Sequence, residues 1–135
     1  MAFPAEIATR LVAQGVGTLG TTIFIGSKAN IPPGDGPFLS LIETGGTGPA
    51  RTQNNTATQR PSMQIVVRGK SAVATRTMSR LAWHELGNVN GLWGIKLTDV
   101  MYVSITARQE PTDIGLDALG RIMFSFNIDA EKQPS

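Results

Sequence analysis

The chain is 135 residues long and 41% hydrophobic, with 12 basic and 10 acidic side chains and no cysteine. That length supports one domain with a modest core, burying roughly two thirds of its unfolded surface, and the lack of cysteine excludes disulfides, thiolate nucleophiles and thiolate metal ligands. Stability has to come from packing or assembly. Met1 to Glu6 lack the basic and apolar segments of a secretory leader, and the longest apolar run, Val100 to Val103, is far short of the roughly 20 residues that span a bilayer. A soluble chain with no membrane contact is expected.

In chain order, Pro4 to Gln14 predicts a short helix. Proline stands near the first helical position, Ile7 and Leu11 are four apart with Ala8 and Val12 beside them, and Gly15 is placed to cap the end. Gly15-Val16-Gly17-Thr18-Leu19-Gly20 matches the dinucleotide fingerprint G-x-G-x-x-G letter for letter. The fingerprint works because its glycines follow a strand and open a helix whose N-terminus faces the pyrophosphate. Here a helix precedes and a β-prone segment, Thr21 to Ile25, follows, so the reading is a helix stop and a tight turn, and no cofactor is expected. Ser27 to Pro37 holds three prolines and reads as irregular, and Phe38 to Glu43 reads as a strand. Thr44 to Arg60 contains no apolar side chain larger than alanine or proline. It is expected to be a long polar loop that orders on a partner.

Met63 to Arg68 predicts a strand, Gly69 a turn, and Ser71 the cap of a helix running to Leu86. At 100° per residue Ala74, Met78, Leu81 and Ala82 share a core stripe, whereas Arg76, Arg80, Trp83 and His84 project elsewhere. Asn88 to Gly91 reads as a turn and Trp93 to Leu97 as a short strand. The clearest signal is period-two alternation. Ile122, Phe124, Phe126 and Ile128 alternate with Met123, Ser125, Asn127 and Asp129, and Met101, Val103, Ile105 and Ala107 alternate with Tyr102, Ser104, Thr106 and Arg108. Two such ribbons pair antiparallel over a core on one side. The connector Gln109 to Gly120 carries Ile114, Leu116 and Leu119, which are expected to dock on the rest of the molecule. Together the elements define an α+β fold, an antiparallel or mixed β-sheet sandwich with two helices packed on one face, in one domain over residues 1–135.

Charge is segregated along the chain. Residues 1–43 carry two basic and three acidic side chains; residues 44–84 carry Arg51, Arg60, Arg68, Lys70, Arg76 and Arg80 with no acid; residues from Glu85 onward carry four basic and seven acidic ones. The blocks either neutralise one another within the subunit, or meet head to tail between copies in a contact that closes a ring, or track a nucleic-acid backbone. Arg76, Arg80 and Trp83 form a basic and aromatic helical face suited to an interface, unless Trp83 folds back to cover the domain edge. Glu110, Asp113 and Asp117 do not follow calcium-loop spacing; they cap turns around Gly115 and Gly120 or form the acidic half of a subunit contact. His84 is the one histidine and has no companions at zinc-ligand spacing. A hydrolase pairing His84 with Asp113 or Asp117 is the enzymatic alternative, but no G-x-S-x-G elbow accompanies it. No catalytic or metal site is expected.

Four segments stand out in order: residues 17–26 (GTLGTTIFIG), 43–46 (ETGG), 64–69 (QIVVRG) and 111–121 (PTDIGLDALGR), the last preceding an alternating strand. Together they give the chain a resemblance to the tail terminator family, or minor capsid proteins, of long-tailed bacteriophages. The resemblance implies a non-enzymatic α+β subunit that forms a hexameric ring on the head-proximal end of the tail tube. Such a ring ends tube polymerisation and offers the surface on which the head docks. Implied partners are further copies of the chain, the tail tube protein, a head-completion or neck protein, and genomic DNA that passes through the lumen without sequence-specific binding. Assembly in the bacterial cytoplasm and residence in the virion tail or neck follow. On this reading Arg51, Arg60, Arg76, Arg80, Trp83, Asp113, Asp117 and Arg121 are candidates for the subunit or tube interface, and the loop from Thr44 to Arg60 for the tube or neck contact. The alternative in the same machine is a head-tail connector or stopper protein.

Overall fold

The structure, a computed structural model, describes residues 3–26, 36–44, 47–51, 57–87, 92–97, 100–118 and 120–132. In order they form α1 (Phe3–Ala13), β1 (Ile23–Ile25), β2 (Phe38–Glu43), β3 (Thr47–Arg51), β4 (Ala57–Arg60), β5 (Ser62–Gly69), α2 (Ala72–Gly87), β6 (Leu92–Leu97), β7 (Val100–Ala107), β8 (Thr112–Leu116) and β9 (Ile122–Lys132). The expected irregular stretch at Ser27 to Pro37 and the turn at Asn88 to Gly91 lie largely outside the described residues.

The alternating sequence of β9 makes it the spine of the sheet. One edge pairs antiparallel with β5 from Ser62↔Asp129 to Gly69↔Ile122. The other edge takes β8 along its first half and β7 along its second, also antiparallel. Outside this centre β2 lies antiparallel on β5, β1 lies parallel on β2, and β6 lies antiparallel on β7. The sheet is therefore mixed and the fold α+β, as the element order implies.

One sheet face builds the core. Leu39 and Leu41 of β2, Met63, Ile65 and Val67 of β5, and Phe126 and Ile128 of β9 are fully buried there, in one cluster with Phe3, Ile7 and Leu11 of α1 and Met78, Ala82 and Leu86 of α2. Both helices thus cover the same face. Ser71 Oγ accepts the Ala74 amide at 3.3 Å to cap α2. Gly15, at φ +78°, ends α1, with the Val16 amide donating back to the Leu11 carbonyl at 3.0 Å. The glycine-rich segment is thus a helix stop followed by a turn into β1.

Five expectations need correction. In the first half of β9 Met123 and Ser125, expected on the polar side, are buried, while Ile122 and Phe124 are only half-buried. Leu81, expected in the core stripe of α2, is 47% exposed, while Thr75 and Ser79 are buried in its place. These two return their hydroxyls to the backbone carbonyls of Ser71 and Arg76, which removes the cost of burying them. In β7 the apolar face does not run through Met101 and Val103. A bulge lies between Tyr102 and Ser104 in the ladder with β9, so Tyr102 joins Ile105 on the core side while Met101 and Val103 are partly exposed. The stretch from Thr44 to Arg60 is not a loop throughout. β3 and β4 pair antiparallel and continue the β2–β5 ladder as one long ribbon, bridged by the Thr44 amide on the Ser62 carbonyl at 3.0 Å. Backbone pairing propagates from the buried strands, and its amides and carbonyls satisfy one another whatever the side chains are. Finally, Gln109 to Gly120 does not bury its described apolar residues. It contains β8, where Ile114 is 45% and Leu116 67% exposed.

One buried polar group ties the helical layer to the spine. Glu6 of α1 is inaccessible to solvent, and its Oε1 accepts from Tyr102 Oη at 2.9 Å and Lys132 Nζ at 3.0 Å. The ammonium also sits 5.8–5.9 Å from the ring centroids of Phe3 and Tyr102. Burial first, then the hydrogen bond to Glu6, push the Tyr102 phenol above its ordinary range, so it stays a donor to Glu6. Lys132→Met strands the carboxylate and is expected to lower unfolding free energy by about 3–5 kcal/mol in urea titration, with Glu6→Gln added to it restoring most of the loss.

Candidate functional site

The second sheet face is polar and carries two charge clusters. Next to the β5–β9 centre, Arg108 binds Asp129 through two hydrogen bonds of 2.6 Å, and Ser62 Oγ donates to the same carboxylate at 2.5 Å. The Arg108 hydrogen bond holds the Asp129 carboxyl below the usual range against the opposing effect of burial, and the same bond raises the Arg108 guanidinium. A concavity of about 300 Å³ opens here, lined by Arg60, Arg108, Asp129 and Glu131 among others. Its two cations face two anions. This balance does not select a phosphate.

The second cluster closes the turn before β9. Asp117 accepts from Arg121 twice, at the amide (2.9 Å) and at Nε (2.8 Å), and Arg68 Nε stands 3.8 Å away. Arg68 and Arg121 are both buried. Burial lowers the Arg68 pKa most, the neighbouring Arg121 adds to this, and Asp117 opposes it. Asp117 and Arg121, two of the candidate interface residues, are therefore brought together inside the subunit.

The remaining candidates lie on two outer surfaces and the ribbon. On α2, Arg76 and His84 are exposed and Trp83 packs against the core, so the tryptophan covers the domain edge. Arg80 lies 5.9 Å from the centroid of the Trp83 ring and makes a loose pair with Glu110 at 3.9 Å. Val73, Thr77 and Leu81 follow at helical spacing on the solvent side, Val73 being 77% exposed. Beside them runs a groove of about 540 Å³ whose walls include Val16, Phe38, Met78 and Leu81. On the far flank of α2, β8 exposes all five residues, and Asp113 Oδ1 accepts the Gly115 amide at 2.8 Å. Arg51 stands in β3 and Arg60 is exposed at the end of β4.

Charge neutralisation within the subunit is thus partly realised, through Arg68–Asp117 and Arg80–Glu110, both longer than a good hydrogen bond. The Glu6–Lys132 pair was missed in sequence, because neither residue stands near the other or in a motif. The signal for β8 was its strand-length stretch after Pro111, with alternate Thr112, Ile114 and Leu116. Among the described residues there is no group of three metal-ligating side chains and no helix long and apolar enough to cross a membrane.

No protein-family model matches the chain, and no curated protein does. Among solved structures it is similar to a chain in the virion of a native gene transfer agent particle. The TM-score is 0.68 at 14% identity, and the match covers 98% of this chain and 96% of that one. At that identity the likeness establishes a shared fold from end to end.

Asp129 has a lowered folded pKa, so its contribution to stability is present above the ordinary value of 3.8 and is lost as pH falls through the lower folded value. The pair is partly solvent-exposed, which keeps the contribution small. Asp129→Asn is expected to lower stability slightly at neutral pH and to flatten the acid limb of the stability–pH curve, so that urea midpoints of variant and parent converge below about pH 4.

Proposed function

We propose that this protein is a structural component of a phage-like virion. In this reading copies of the chain form a closed ring, with six copies as the tail terminator resemblance implies. The ring caps the head-proximal end of the tail tube, stops tube growth and presents the surface to which the head joins. The observation that carries the proposal is the end-to-end fold match to a virion chain, which agrees with a resemblance found independently in the sequence. The protein acts by shape and has no enzymatic role. It assembles in the bacterial cytoplasm and stays in the tail or neck of the particle.

The ribbon of β3 and β4 is the element best suited to the tube or neck protein. Its ladder runs past Gln59↔Lys132, where described pairing with β9 stops, and β3 pairs with β4 alone among the described strands. Genomic DNA crossing the lumen meets no base-reading motif and is passed without sequence preference. Of the basic middle block, Arg60, Lys70 and Arg76 are exposed enough to face it, whereas Arg68 is buried.

Mixing the protein with purified tail tube protein is expected to give tubes with one end closed by a ring in electron micrographs. Tubes left open, with binding to portal-side proteins instead, would establish the connector or stopper reading and overturn this one. Replacing residues 48–56 with a two-residue turn should leave thermal unfolding within a few degrees of the parent, because the β2–β5–β9 centre is untouched, and should abolish capping. Retained capping by this variant would remove the ribbon from the tube contact.

A further inference from the structure

A ring of identical subunits needs two different surfaces on each copy that fit one another, and this inference rests on the ring reading above. We propose that these surfaces are the outer edge of β8 and the groove beside α2. β8 of one copy lies against α2 of the next, with Ile114 and Leu116 seated against Leu81 and Val73.

One edge of β8 is hydrogen-bonded to β9 and all five of its residues are exposed. Asp113 and the bulge between Asp113 and Gly115 blunt its outer backbone edge against simple strand addition, so the contact is carried by side chains. Two of them, Ile114 and Leu116, are large and aliphatic. The α2 surface answers it in kind. Val73 and Leu81 are the large exposed aliphatics of that helix, and the groove beside Leu81 has apolar walls in Val16 and Phe38.

Charge selects the occupant. Lys70, Arg76 and Arg80 stand before and on the outside of α2, while Glu110 and Asp113 stand before and within β8; Arg68 and Asp117 are spent on each other and on Arg121 inside the subunit. The acidic, aliphatic segment that fits a basic, aliphatic helix face is supplied by every other copy of the same chain, in equal number. The Arg80–Glu110 pair, 3.9 Å long and half exposed on both sides, already places opposite charge at the boundary of the two surfaces. Within one copy β8 and the groove lie on opposite flanks of α2, so one copy cannot fill its own groove. The contact is therefore between copies and head to tail, and it repeats until it closes.

The absence of cysteine makes the test clean. Leu81→Cys and Leu116→Cys, in one chain assembled on tube ends, are expected to give a ladder of covalent multimers with a short bismaleimide. Each single variant should remain monomeric, and a mixture of the two singles should stop at dimers. Self-crosslinking of Leu116→Cys alone would indicate symmetric edge-to-edge pairing and overturn the proposal. So would a monomeric double variant in preparations whose tube ends carry rings; that outcome leaves the ring itself standing. Leu116→Asp supplies a second readout that does not depend on crosslinking geometry. With an unfolding midpoint like the parent's, it is expected to need about tenfold more protein to cap tubes, from loss of a buried leucine contact. Capping at parental concentration would refute the docking. A parent chain that forms no rings on tubes would instead bring down the assembly reading and this inference together.

Discussion

Everything in the molecule hangs on the eleven residues of β9, which is hydrogen-bonded along both edges. On one side it carries the β5 ladder, which brings β2 and β1 with it and continues into the β3–β4 ribbon. On the other it divides its length between β8 and β7. Its core face supplies Phe126 and Ile128, on which the helices pack, and its last described residue, Lys132, reaches through that layer to Glu6 of α1. Two-sided pairing leaves β9 no freedom to slip, because a one-residue shift would put Ser125 and Asn127 into the core and Phe126 onto the polar face.

That strand was also the most legible part of the sequence, and for the same reason. A strand with one apolar face writes its burial as alternation, and from Phe126 to Ala130 the strand follows it, whereas at its start Met123 and Ser125 of the polar side are buried and Ile122 and Phe124 only half-buried. Where local pattern and tertiary context disagreed, pattern misled. Tyr102 stood on the polar side of a regular strand until a bulge turned it inward, and a bulge leaves no mark in hydropathy. Thr75 and Ser79 looked unfit for the core, but their hydroxyls satisfy themselves on the helix backbone. The β3–β4 ribbon has no apolar signature, and its pairing is inherited from the strands it extends.

The candidate surfaces were legible by residue type more than by place. Arg68 of the basic block does meet Asp117 of the acidic one, but inside the subunit, where Arg121 shares the carboxylate to hold a turn, and Arg108 with Asp129 settles the polar face of the sheet. The surfaces left open to other molecules are aliphatic with charged margins. Hydropathy alone cannot distinguish such a patch from core. Ile114 and Leu116 read as side chains seeking burial, and within one copy they do not find it.

The joining of β3 and β4 to the ends of β2 and β5 has a mechanical corollary. Tension along the strands passes from the ribbon into β5 and is borne by the eight β5–β9 pairs simultaneously, in shear, so none fails before its neighbours share the strain. A tether made this way resists axial pulling far better than one that could be peeled open rung by rung. Any molecule gripping the ribbon is thereby coupled stiffly to the central strand.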